Sequence, residues 1–160
     1  MNNFFADRFS TIFLKLTIGL ITIGSLIALI WFPQTEGRAT NLDLISIYKD
    51  PLIIYVYISS IPFYIALFQT FKLLSYIQQN KFFSSIAIRT LRNIKYSALT
   101  IIIFLIGAIF FIRFFTHGDD PAGPIMLGLI SIFISLVVIS ITTIFQNLLQ
   151  NTIEKTKNKS

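Results

Sequence analysis

Residues 16–35 read LTIGLITIGSLIALIWFPQT, 20 consecutive positions without a charged side chain. A hydrocarbon layer about 30 Å thick is crossed by roughly 20 helical residues. Leu16 to Phe32 alone holds ten Leu, Ile or Phe residues. At about −0.3 to −0.6 kcal/mol each, they contribute roughly −3 to −6 kcal/mol toward insertion. The run follows Arg8 and Lys15, as a secretory signal would, but Trp31-Phe32-Pro33-Gln34 is not a small-x-small cleavage site. The segment is therefore expected to remain as a membrane span.

Three further charge-free gaps follow: Pro51 to Phe71 (21 residues), Tyr96 to Ile112 (17) and Pro121 to Ile153 (33). The 17-residue gap lengthens if Arg113 snorkels and Phe114 and Phe115 join the apolar length. The chain has 160 residues, 54% hydrophobic and 12% charged. Soluble domains carry about 25% charged residues, so lipid must be part of this chain's solvent. The expected fold is an all-α integral membrane protein, a four-helix transmembrane bundle forming one membrane domain over 1–160. Its spans are expected at about 12–32, 51–71, 96–115 and 124–149, with a basic cytoplasmic loop over 72–95.

Lys and Arg counts set the orientation. The N-terminal segment has Arg8 and Lys15. The first loop has Arg38 and Lys49, set against Glu36, Asp43 and Asp50. The second loop has Lys72, Lys81, Arg89, Arg92 and Lys95 with no acid. The third has Arg113 beside Asp119 and Asp120, and the C-terminal tail has Lys155, Lys157 and Lys159. Alternate sides thus hold ten and three basic residues, which predicts both termini and the second loop in the cytoplasm. Trp31, Tyr48 and Tyr55 fall at one expected interface, Tyr76 and Tyr96 at the other. The net charge of +6 is read as cytoplasmic loop charge, with no direct nucleic-acid partner.

In the second loop, Gln79-Asn80-Lys81 reads as the turn ending one helix, and Ser84 or Ser85 as the N-cap of the next. Arg89, Arg92 and Lys95 recur every three residues on one broad side, while Phe83, Ala87, Leu91 and Ile94 occupy much of the other. Lys81, Arg89, Arg92 and Lys95 are the candidate contacts for anionic lipid headgroups or a cytoplasmic protein. In the third loop, His117 beside Asp119 and Asp120 invites a metal, but a short loop with one His rarely closes a coordination shell. No metal or other cofactor is expected; the loop reads as a helix start, with acid and Pro121 before the last span. The chain has no Cys, which removes thiolate chemistry.

No Asp, Glu, Lys, Arg or His lies near the middle of any span. Ion-coupled transporters and pumps usually carry such a group. The same absence removes carboxylate-pair and buried-metal hydrolysis, so no enzyme is expected. Pro62 stands mid-span and deprives the Ile58 carbonyl of its helical donor. In the last span, Gly128, Ser131, Ser135 and Thr142 fall on one side of a helix, opposite Phe133, Leu136 and Val137. Small residues let membrane helices approach, so that side is expected to face the first or third span, with interhelical hydrogen bonds from its hydroxyls adding about 0.6 kcal/mol each.

Two short stretches, Asn80-Lys81-Phe82-Phe83-Ser84 leading into Leu91-Arg92-Asn93-Ile94-Lys95 and Asp119-Asp120-Pro121-Ala122-Gly123, carry a resemblance. The chain resembles the bacterial four-span membrane family DUF2975, a domain of unknown function. That family usually shows an Asp-Asp-Ala-Pro-Gly-like loop, and here Pro and Ala stand in reverse order. The resemblance implies a bacterial plasma-membrane protein without an established activity and supplies no catalytic residues. Members are often encoded beside a small helix-turn-helix regulator, which implies a regulatory pairing. The reading is therefore a non-enzymatic membrane protein acting by interaction, as a sensor or anchor for such a regulator. The alternative is a small self-associating channel or transporter lined by Ser, Thr and Gln69.

Overall fold

The computed structural model describes residues 2–35, 51–115 and 121–159. Four helices account for nearly all of them: α1 (Asn2–Thr35), α2 (Pro51–Gln78), α3 (Ser85–Phe115) and α4 (Ala122–Lys157). No strand occurs among the described residues. Each helix contains a stretch long and apolar enough to cross a membrane. At 1.5 Å per residue, even the 28 residues of α2 span about 42 Å, more than a hydrocarbon core requires.

The turn between α2 and α3 is closed by local chemistry. Asn80 adopts φ 53°, a left-handed conformation that Asn tolerates better than most residues. The Lys81 N–H donates to Tyr76 O at 2.9 Å and the Asn80 N–H to Ile77 O at 3.2 Å. That pair of bonds is a Schellman motif, and it satisfies carbonyls that the end of α2 would otherwise leave open. Ser84 then caps α3: its Oγ accepts the Ala87 N–H at 3.3 Å and donates to Lys81 O at 2.7 Å. Of the two serines considered from sequence, the cap is Ser84.

The closest packing is between sequence neighbours: α1 on α2, α2 on α3, α3 on α4. Two tyrosines of α2 tie it to both sides. The Tyr57 hydroxyl donates to Leu29 O of α1 at 3.0 Å, and the Tyr55 hydroxyl to Phe104 O of α3 at 2.6 Å. The helical assignment of α2 is unbroken across Pro62, which is buried. On α4 the buried positions are Gly128, Ser135, Thr142 and Leu149, each seven residues after the last. This is the seam spacing of a left-handed helix pair. Gly128 meets the end of Ile109 on α3. Ser131 is half-buried, and Phe133, Leu136 and Val137 are exposed.

One expectation changes. The Ser131, Ser135 and Thr142 hydroxyls donate to Leu127 O, Ser131 O and Val138 O of their own helix, not across helices. A carbonyl four residues back is always within reach of a helical Ser or Thr, whereas a partner on another helix must be placed there. The seam packs by shape.

Candidate interaction surface

The segment expected as a basic loop over 72–95 is a helical hairpin. Lys72 lies in the last turns of α2, residues 79–84 form the connection, and Arg89, Arg92 and Lys95 lie in the first turns of α3. Gly128 opposite Ile109 fixes the antiparallel register of α3 and α4. Leu149, 21 residues after Gly128, is therefore level with Ile88, 21 residues before Ile109. The last turns of α4 run beside the first turns of α3. The Phe82 and Phe145 rings meet edge-on with centroids 6.5 Å apart. On the other side, Lys15 of α1 donates to Gln78 Oε1 at 2.5 Å and lies 5.2 Å above the Phe71 ring.

Several apolar side chains are buried at this end. The buried apolar residues are Pro33, Ile53, Pro62, Leu74, Ala87, Leu91, Ile94, Ala98 and Leu149, of which Leu74, Ala87, Leu91, Ile94 and Leu149 belong to the hairpin and the adjoining end of α4. Ala87 is 0% exposed and Leu149 1%. Lipid tails are as apolar as Leu, so little is gained by burying Leu within a bilayer; in water the gain is about 1.5–3 kcal/mol per side chain. Those five side chains fit an end that packs in water. Charge agrees: drawing Arg89, Arg92 and Lys95 into hydrocarbon would cost about 2.5–3.5 kcal/mol each. Leu91 and Ile94 are buried in the protein, while Ile86, Phe145 and Leu148 at the same level are exposed. The helices continue past the level of Lys15, Lys72 and Lys95 as a packed, basic head.

The candidate contact residues sit on the outside of this head. Lys81, Arg89 and Arg92 are exposed and Lys95 is half-buried, while Ala87, Thr90, Leu91 and Ile94 turn inward. Phe83, expected on the apolar side with Ala87 and Leu91, is instead 66% exposed. It precedes the helix, so the helical spacing that aligned it with Ala87 does not apply. The head end carries Arg8, Lys15, Lys72, Lys81, Arg89, Arg92, Lys95, Lys155, Lys157 and Lys159 against Asp7 and Glu154. Arg113 is the one described cation at the opposite end.

The small-residue face lies elsewhere, along the α3–α4 seam: Gly128, Ser135 and Thr142 are inside it and Ser131 is at its edge. His117, Asp119 and Asp120 lie outside the described residues, as do Arg38, Tyr48 and Lys49. Among the described residues no group of His, Cys, Asp or Glu could hold a metal ion. The last helix begins at Ala122 with Pro121 as its N-cap, whose carbonyl accepts the Ile125 N–H at 3.1 Å. Sequence reasoning did not find Leu149, the Lys15–Gln78 contact or the two tyrosine ties. Leu149 was findable, because it continues the seven-residue spacing from Thr142; the tyrosine ties had no signal in the pattern.

Four apolar crossings and one strongly basic, packed end define a polytopic integral membrane protein. Residues 34–157 match the family described as "Protein of unknown function (DUF2975)", and the chain belongs to that family. It is 41% identical over 150 residues to "Uncharacterized membrane protein YoaS" of Bacillus subtilis (strain 168), covering 92% of this chain and 94% of that protein. No solved structure matches the chain.

Proposed function

We propose that the chain is a bacterial plasma-membrane protein acting by interaction rather than catalysis, with both termini and the basic head in the cytoplasm. There it serves as a sensor or anchor for a cytoplasmic helix-turn-helix regulator, and the anionic headgroups of the inner leaflet surround the base of the head. The observation that supports this best is the ten-to-two excess of cations over acids at the packed end. Basic residues are retained on the cytoplasmic side, and each contributes about 1 kcal/mol beside an anionic leaflet. A packed head, unlike a loose loop, offers a fixed surface for a protein. The spans offer a channel little, since the seam hydroxyls are turned into their own helix.

The test is affinity purification of the tagged chain from native membranes, with partners identified by mass spectrometry. Recovery of a DNA-binding protein in stoichiometric amount is the expected result. Recovery of a self-only oligomer would favour the channel reading and sink this one.

A further inference from the structure

We infer that α1 is a latched helix: the Tyr57 hydroxyl of α2 fills a backbone acceptor that Pro33 opens in α1, and without that bond α1 moves on α2 while α2, α3 and α4 stay together.

The latch begins with the proline. Pro33 lies inside α1 and has no N–H, so the carbonyl four residues earlier, Leu29 O, lacks its helical donor. Leu29 belongs to the charge-free run 16–35, and hydrocarbon supplies no substitute donor. The Tyr57 hydroxyl supplies one, at 3.0 Å. The carbonyls that precede Leu29 hold N–H groups of their own helix. Sliding or turning α1 therefore takes Tyr57 away from the acceptor that needs it. The bond sets the register of α1 on α2 as well as closing a gap in the α1 backbone.

Burial gives α1 little other hold. Among its described side chains, Thr11 and Pro33 alone are buried, whereas α3 buries six residues and α4 four. A Cβ added at Gly19 or Gly24 would meet nothing within 4 Å, while one at Gly128 on the α3–α4 seam would stand 3.0 Å from Ile109. The glycines of α1 do not draw a neighbour close. A second tie, Lys15 to Gln78 Oε1 and over the Phe71 ring, joins a cation to a neutral amide and a ring. Tyr57 on Leu29 and Phe71 on Lys15 stand fourteen residues apart on each helix, so both contacts mark one antiparallel seam. Large aromatic side chains stand on this seam where Gly128, Ser135 and Thr142 stand on the α3–α4 seam. The α2–α3 pair, by contrast, is joined by the short turn at 79–84 and by Tyr55 seated against Gly107.

The experiment uses the full chain in phospholipid nanodiscs, with spin labels on introduced cysteines, since the chain has none of its own. One pair, Leu20→Cys with Phe68→Cys, reports α1 against α2; a control pair, Ile103→Cys with Phe133→Cys, reports α3 against α4. All four side chains are exposed. Distances are read by double electron–electron resonance, with unlabelled chain in excess so that each distance lies within one molecule. Tyr57→Phe removes the hydroxyl and keeps the ring. It should shift or broaden the α1–α2 distance by about 5 Å or more, one helical turn, and leave the α3–α4 distance unchanged. Pro33→Ala restores the missing N–H, so Tyr57→Phe added to Pro33→Ala should change little further. An α1–α2 distance indifferent to Tyr57→Phe overturns the proposal. An equal change in the α3–α4 pair overturns it too, because the whole bundle would then have loosened. So does an undiminished effect of Tyr57→Phe in the Pro33→Ala chain, because the open carbonyl would then not be what Tyr57 serves.

Discussion

Gly107→Ala is expected to destabilise the protein, and Tyr55→Phe is expected to reverse the sign of that effect. A Cβ at position 107 would stand 2.6 Å from the Tyr55 hydroxyl oxygen and 3.7 Å from its Cζ. The second distance is ordinary contact; the first demands a shift of about 1 Å. A tyrosine ring is rigid, so the shift must come from its two side-chain torsions or from the backbones of α2 and α3. Either route lengthens the 2.6 Å bond to Phe104 O and disturbs the edge-on contact of the Tyr55 and Phe104 rings, whose centroids are 5.7 Å apart. The bond contributes about 0.6 kcal/mol, up to about 1.7 for the strongest measured in a bilayer. Overpacking adds about 1–3 kcal/mol, while Ala in place of Gly returns up to about 1 kcal/mol of helix propensity. The single change should therefore cost about 1–3 kcal/mol. In the Tyr55→Phe background the obstructing atom is gone, and Gly107→Ala should be neutral or stabilising by up to about 1 kcal/mol. The double-mutant cycle, read by reversible unfolding in bicelles, should give a coupling of about 2–3 kcal/mol. An equal penalty for Gly107→Ala in both backgrounds would refute the reasoning.

Three further outcomes are expected. A reporter fused after Ser160 or inserted near Asn80 should report cytoplasm, and one near Thr40 or Gly118 the exterior; exterior signal at Ser160 would contradict the assigned orientation. Leu149→Ala or Leu91→Ala, both in the head, should cost about 2–5 kcal/mol, whereas Phe133→Ala on the exposed side of α4 should cost far less, as measured in the same unfolding assay. Along the seam, Ser135→Leu should cost more than Leu136→Ala and Ser131→Ala should be mild, because Ser135 is buried, Leu136 exposed and the hydroxyl bonded within its own helix.

The spans were legible because hydrocarbon imposes one coarse rule, about 20 residues without charge, and residues 16–35 and 51–71 obey it plainly. The fourth gap is longer than that rule needs. Its 33 uncharged residues continue through Gln146, Asn147, Gln150 and Asn151, which are polar without being charged. The apolar run reaches Leu149, which register with α3 places level with Ile88. Register is a relation between two helices, and no single segment contains it. The turn at 79–84 was legible down to its residues, because Asn in a left-handed conformation and Ser at a helix start are local preferences. The tyrosine ties were not. The Tyr55 hydroxyl stands where residue 107 has no side chain, and nothing in the order of residues joins Tyr55 to Gly107.

The seam of α4 crosses from one solvent to another without changing its spacing. Gly128 and Ser135 sit where lipid is the competitor, and there a small side chain serves because it lets the neighbouring helix come close. Leu149 sits where water is the competitor, and there a large apolar side chain serves because burying it removes surface from water. Thr142 stands between, close to the expected hydrocarbon edge. The head is therefore built on the same two helices as the membrane bundle, with no linker between them: α3 and α4 are each continuous across the boundary. A hinge needs a place where the chain can absorb torsion, and neither helix provides one at that level.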